Sequence, residues 1–266
     1  MRLMVLRYFN LWKAFFRNSL SRDMEFKMNF IGDLFIDGIF YGSLYFFFRV
    51  IFSYVDSLGD FNQEAVIVFL VVMYLTDTVF VFFFGGNTFN LNQMVVSGDL
   101  DLVLIKPVST QFFMSLRYVA SYSIISFIIL IGLLIKLVQG YHGVFLPMNF
   151  LLFIPSFIMG ILIFYAIEFI ISCLVFWYRN FSLGGWLSSE ILKYSRRPDG
   201  IFQGMFRKVI FTVLPMAMIS SVPARMLIFG PNYKLLLLQF LIIATLFLIS
   251  RLIWVRGLRL YESASS

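Results

Sequence analysis

Four carboxylates, Asp33, Asp37, Asp77 and Glu168, stand inside apolar runs. An acid in lipid is costly and turns toward protein or a water-filled cavity. Asp33 and Asp37 are four apart and share a helical face, which fits an anchor at the start of a membrane helix or an attraction for a cationic amphiphile. Asp77 and Glu168 fit a substrate path or a helix-packing contact, with Arg49 and Arg117 as cations to pair with the buried acids. Neither has a histidine pair or a recognisable nucleophile beside it, so an intramembrane enzyme is a poor reading. Cys173 and His142 each occur once, which excludes an intrachain disulfide and a thiol metal cluster. No Gly-x-x-x-x-Gly-Lys-Ser/Thr loop occurs, so ATP binding by this chain is not expected.

The second constellation is a polar hairpin, Ser97, Gly98, Asp99, Leu100, Asp101, Leu102, Val103, Leu104, Ile105, Lys106, Pro107. Gly98 supplies a turn, Asp99 is placed to cap a short helix over 100–105, and Pro107 stops it. The spacing puts Leu100, Val103 and Leu104 on one side with Asp101 turned away. That face suits docking into a partner's groove, and equally an ordinary interfacial loop helix.

The elements that must hold these residues are membrane helices. Of the 266 residues, 61% are hydrophobic and 13% charged, against about 25% charged in soluble domains. The alternating ten-residue pattern of an outer-membrane barrel is absent from the apolar runs. The expectation is an all-α polytopic membrane protein with six crossings: about 30–54, 65–84 (ended by Gly85, Gly86 and Asn87), 118–138, 150–177, a fifth, and 233–254. Tyr178, Arg179 and Asn180 suit an interface after the fourth, and an outer loop surrounds His142 and Pro147. The aromatic runs at 45–48 and 80–84 are read chiefly as lipid contacts and packing.

Residues 1–22 set Leu3, Leu6, Leu11, Phe15 and Leu20 among basic residues. That pattern reads as an amphipathic helix in the headgroups or as a cytosolic extension packed on the bundle. Arg2, Arg7, Lys13, Arg17, Arg22 and Lys27 interrupt any signal-peptide core, so the N-terminus is expected to be retained. The transmembrane domain then covers 23–266. The net charge of +7 is spread among the membrane segments, which implies orientation, with both termini cytoplasmic, rather than nucleic acid. Residues 181–229 allow two parses. Positive-inside counting keeps 179–208 cytosolic, whereas Pro215 and Pro223 favour a short crossing over 181–194 followed by a broken element over 206–229.

The basic N-terminus, the hairpin in the form G-D-L-D-x-x-L-x-K-P, Arg117 after it, and the Leu214-Pro215 to Pro223-Ala224-Arg225 region together resemble the ABC-2 type permeases. The resemblance is closest to the branch of proposed multidrug or viologen exporters. It implies that 99–107 is a coupling helix for a separate cytosolic ABC ATPase, in which ATP and Mg are bound, with no cofactor in this chain. It further implies a second permease copy or a similar chain, a re-entrant element carrying Pro215, Pro223 and Arg225, and the second parse of 181–229. A prokaryotic inner membrane, lipid contact and a hydrophobic or cationic amphiphilic substrate complete the expectation. An energy-independent lipid scramblase or carrier, and a non-transporting membrane scaffold, are the competing classes.

Overall fold

A computed structural model describes residues 2–141, 147–178, 181 and 184–261; His142, Arg179 and Asn180 lie outside the described residues. The chain runs α1 Arg2–Glu25, α2 Lys27–Ile51, a two-residue hairpin β1 Ser57–Leu58 and β2 Phe61–Asn62, and α3 Gln63–Phe80. A π-helical turn Val81–Gly85 leads into α4 Gly86–Ser97, followed by α5 Leu100–Leu104, α6 Thr110–Leu116, α7 Ser123–Gly140 and α8 Pro147–Cys173. The last third holds α9 Gly184–Leu192, α10 Gly204–Thr212, a 3-10 turn Met216–Met218, α11 Ser221–Ile228 and α12 Tyr233–Leu260.

Among the described residues five helical stretches are long and apolar enough to cross a membrane: Lys27–Ile51, Gln63–Ser97, Ser123–Gly140, Pro147–Phe176 and Tyr233–Leu260. Their apolar outer faces have no protein to cover them in one copy: α2 buries only Phe48, while Phe35, Ile128 and Leu248 are each more than 60% exposed. Two cores share the work. One joins the end of α3 with α4, α8 and α12, and there Phe80 and Phe164 stack with centroids 3.7 Å apart. The other joins α3, α7 and α11.

The second apolar helix does not stop at Gly85 and Gly86, contrary to the sequence expectation. Both glycines keep right-handed helical backbone. The reason is Asn87, 1% exposed, whose amide clamps the Tyr118 backbone: Nδ2 donates to its carbonyl at 2.7 Å and Oδ1 accepts from its N–H at 2.8 Å.

The same contact shortens the third apolar helix, which begins at Ser123 rather than 118. Four backbone N–H groups of the irregular segment are taken: Tyr118 by Asn87, Val119 by Ser19 Oγ, Ala120 by the Phe82 carbonyl inside the π turn, and Ser121 by Asp23. Such pairing allows non-helical backbone next to hydrocarbon, because donors that leave the helix ladder find other partners.

Residues 204–228 fold as a bent element whose tip, Met216 to Ser221 in part a 3-10 turn, is fully buried. Pro215 sits at the break and Pro223 in the first turn of α11, where the absent N–H costs little. The tip rests on Gly160, well along α8, and on Gln239 of α12, whose Nε2 donates to the carbonyls of Met218 and Ser156 at 2.8 and 2.9 Å. A Cβ on Gly160 would lie 2.4 Å from the Ile219 carbonyl oxygen. Gly160→Ala should therefore cost about 1–3 kcal/mol, as overpacking does, read as earlier unfolding in an SDS titration from mixed micelles.

Candidate functional site

Two ends of the bundle carry polar structure, one marked by Gly98 and the other by Gly59. Gly98, at φ 81°, ends α4 in the left-handed conformation that favours glycine. The chain turns there into α5.

Asp99 does not cap α5; its carboxylate accepts from Ser97 Oγ at 2.7 Å instead. The expected docking face is also corrected. Leu100 and Val103, 0% and 1% exposed, pack into the core with α4 and α6, because the turn at Gly98 folds that side back on the bundle. The side left open carries Leu102, Leu104 and Ile105, 59%, 39% and 80% exposed. Asp101 lies beside Tyr261 after α12, and Lys106 Nζ sits 4.3 Å over the Phe113 ring.

Helix α1 is fastened along the chain that leaves this hairpin. Arg7 donates to the Pro107 carbonyl at 2.7 Å, Tyr8 Oη accepts from Ser109 N at 2.9 Å, and Ser19 and Asp23 hold Val119 and Ser121. Its Leu6, Phe9 and Leu20 remain exposed beside Arg7, Lys13 and Arg17.

At the Gly59 end an ion cluster ties three segments together. Asp199 is fully buried and receives Arg225 Nε and Arg207 Nη2, each at 2.7 Å, with Ser221 Oγ bonded to its backbone N–H. Arg225 also reaches Asp60 at 2.9 Å and lies over Phe61 and Phe229. The backbones of Gly59 and Gly200 meet so closely that a Cβ on either would fall within 2.5 Å of a carbonyl oxygen. Arg225, Arg207 and Asp199 thus stand at the end opposite the 97–107 hairpin, which removes the parse that kept 179–208 beside it.

The hydrogen bond and charge of Arg225, helped by Arg207, hold the Asp60 carboxyl below its ordinary value. A lowered carboxyl contributes while ionised and loses its contribution only as pH falls through the lowered value. Spin labels at Ser57→Cys and Gln203→Cys should keep their separation from neutral pH down to about pH 4, the unperturbed carboxylate range, and part only under stronger acid.

Asp77 and Glu168 are brought together around the segment between these ends. Asp77 pairs with Arg196 Nε at 3.6 Å, and Glu168, 5% exposed, accepts from Ser188 Oγ of α9. Arg49 and Arg117 do not serve as their partners: Arg49 donates to Tyr45 Oη, and Arg117 lies over Phe113 and Tyr118. Arg196 comes from a segment remote in sequence, which spacing alone does not reveal. Asn149 and Gln239 were not singled out from sequence, yet each is about 1% exposed or less and bonds to a backbone group. Their signal is an amide alone in an apolar run.

Among the described residues no three histidines, cysteines or carboxylates gather as a metal site. Comparison with known proteins gives one family match, to a model described as ABC-2 family transporter protein, over residues 39–265. Neither the curated proteins nor the solved structures gave a match. The matched span takes in the second half of α2, the other four long apolar helices, the 97–107 hairpin and the bent element of 204–228, and on that extent the chain belongs to the ABC-2 family of transporter proteins.

Proposed function

We propose that this chain is the permease half of an ABC exporter in a prokaryotic inner membrane, with the Gly98 end and both termini cytoplasmic. Members of the family are transport subunits and carry no catalytic centre. Energy comes from ATP hydrolysed with Mg in separate ABC ATPase subunits, which seat on residues 97–107. A second copy or a similar chain covers part of the exposed apolar faces and lipid covers the rest. Helix α1 lies in the cytoplasmic headgroups, and Asp77 and Glu168 hold the short ascent through α9. The bent element with Pro215, Pro223 and Arg225 is re-entrant from outside. Its cargo is a hydrophobic or cationic amphiphilic molecule of the kind handled by the multidrug and viologen branch.

The observation that carries this reading is the two-sided character of α5. Leu100 and Val103 are sunk in the bundle while Leu102 and Ile105 stand out of it. A partner pressing on the outer side moves α4 and α6 through the inner side, and moves α1 through the Arg7 bond to Pro107. Short apolar knobs on a rigid base suit transmission of a closing motion better than a loose loop does.

The test is reconstitution of the chain with its ATPase subunit in proteoliposomes. The expected result is vanadate-sensitive ATP hydrolysis stimulated several-fold by dodecyltrimethylammonium. Lipid movement without ATP, or assembly with an ATPase whose turnover no amphiphile changes, would replace the exporter by a scramblase or a scaffold.

A further inference from the structure

A cavity of about 360 Å³ opens between α4, α5 and the chain that follows α6, lined by Asn90, Gln93, Asp99, Lys106, Arg117 and Tyr118 among others. That volume falls at the lower end of the roughly 300–1,000 Å³ of small-molecule sites. Two cations meet there on one ring: Lys106 Nζ stands 4.3 Å and Arg117 Cζ 5.2 Å from the Phe113 centroid. Lys106 thus folds back over buried Phe113, away from the outward course of Ile105. Among the described residues neither cation is in an ion pair. Asp99, the carboxylate of the lining, takes its hydrogen bond from Ser97 Oγ and offsets only one of the two charges. A ligand with a single negative charge completes the set.

The height of the cavity decides which anions it meets. The helical stretch Gln63–Ser97 has 35 residues, about 52 Å at roughly 1.5 Å per residue, against about 30 Å of hydrocarbon. Asn90 and Gln93, near its end, therefore stand beyond the acyl chains. Arg117 and Tyr118 come just before α7 begins at Ser123, the level at which basic and aromatic side chains meet headgroups. The bonds of Arg7 to Pro107 and of Ser109 to Tyr8 bring amphipathic α1 alongside the same hairpin. A cavity at that level opens among lipid phosphates, and anionic lipids are abundant in the cytoplasmic leaflet.

We propose that this cavity binds the phosphodiester of an anionic phospholipid, its oxygens on Lys106 and Arg117 and its head hydroxyls on Asp99 and Gln93. A diester carries one charge and balances the lining. A free phosphate monoester, with nearly two charges at neutral pH, overshoots it beside Asp99. A choline head brings its own cation and offers Asp99 no hydrogen-bond donor. The assignment rests on the membrane placement proposed above, and it makes the base of the 97–107 hairpin responsive to the composition of the leaflet.

The test uses the full chain in dodecylmaltoside, with bound lipids counted by native mass spectrometry as short-chain phosphatidylglycerol or phosphatidylcholine is added. One phosphatidylglycerol per chain should bind about tenfold or more tighter than phosphatidylcholine, the scale of one charge-assisted hydrogen bond. Lys106→Gln and Arg117→Gln should each lose about that factor. Lys106 is exposed, so its variant should unfold in SDS as wild type does and report binding alone. Lys13→Gln, which removes an exposed cation of α1 outside the lining, should lose nothing. Equal binding of the two lipids, or equal losses in Lys13→Gln and Lys106→Gln, overturns the site. Displacement of the lipid by millimolar glycerol 3-phosphate would assign the cavity to soluble phosphates and overturn the lipid source. If Lys106→Gln and Arg117→Gln keep the lipid preference but lose assembly with the ATPase subunit, the cations belong to the docking surface and the lipid site falls. The binding assay holds neither ATPase nor nucleotide, so its failure leaves the exporter reading standing, and failure of the proteoliposome assay leaves the lipid count unaltered.

Discussion

Asp199→Ala should destabilise the protein by about 3–5 kcal/mol, the cost of removing one partner from a buried ion pair. Asp199 is 0% exposed and neutralises two guanidinium groups, of which Arg225 is 14% exposed at its side chain. Without the carboxylate Arg225 keeps only Asp60, which is 61% exposed and well screened. Asp60→Asn should therefore cost no more than about 1 kcal/mol, as surface pairs do. Asp199→Asn, which retains an acceptor, should fall between the two. The bond from the backbone N–H of residue 199 to Ser221 Oγ survives either substitution there, so the loss reports the carboxylate alone. SDS unfolding of the three variants in mixed micelles checks the order, and equal shifts for Asp199→Ala and Asp60→Asn would remove the cluster's claimed hierarchy.

The other large effect concerns α5, where leucines two positions apart should behave oppositely. Leu102→Asp with Ile105→Asp places two charges on a side that is already exposed, so the isolated chain should fold and unfold as wild type. Association with the ATPase subunit should drop by at least about a hundredfold, since two central apolar contacts at an interface each carry about 2 kcal/mol or more. Leu100→Asp places an unpaired charge in a fully buried position and should impair folding itself. Purification yield and melting separate the two classes before any ATPase is added.

The apolar runs made the long helices readable, because a stretch near 20 residues without charge has few other uses. The prolines at 215 and 223 likewise marked the bent element, and the structure places it between α3 and α8 as a packed piece. What local pattern missed was decided by remote partners. Gly85 and Gly86 look like a stop until Asn87 is seen holding Tyr118. The face of α5 could not be chosen from its own residues, since a helix with Leu or Val at four of its five positions has no distinct apolar stripe. The partner of Asp77 was equally invisible, as Arg196 reaches it across more than a hundred positions of chain. The positive-inside parse of 179–208 missed remote pairing in the same way: Arg207 is held by Asp199 and Asp60, and Arg196 by Asp77.

The central claim is that an ATPase subunit drives this permease through residues 97–107. Photo-crosslinking tests it most directly, with benzoylphenylalanine placed at Ile105 in the assembled complex and at Ser57, at the opposite end, as the control. The account predicts a covalent permease–ATPase product from position 105, its yield changing when ATP is added with vanadate, and no such product from position 57. A complex that hydrolyses ATP yet gives no product from 105, or gives one from 57, would contradict it.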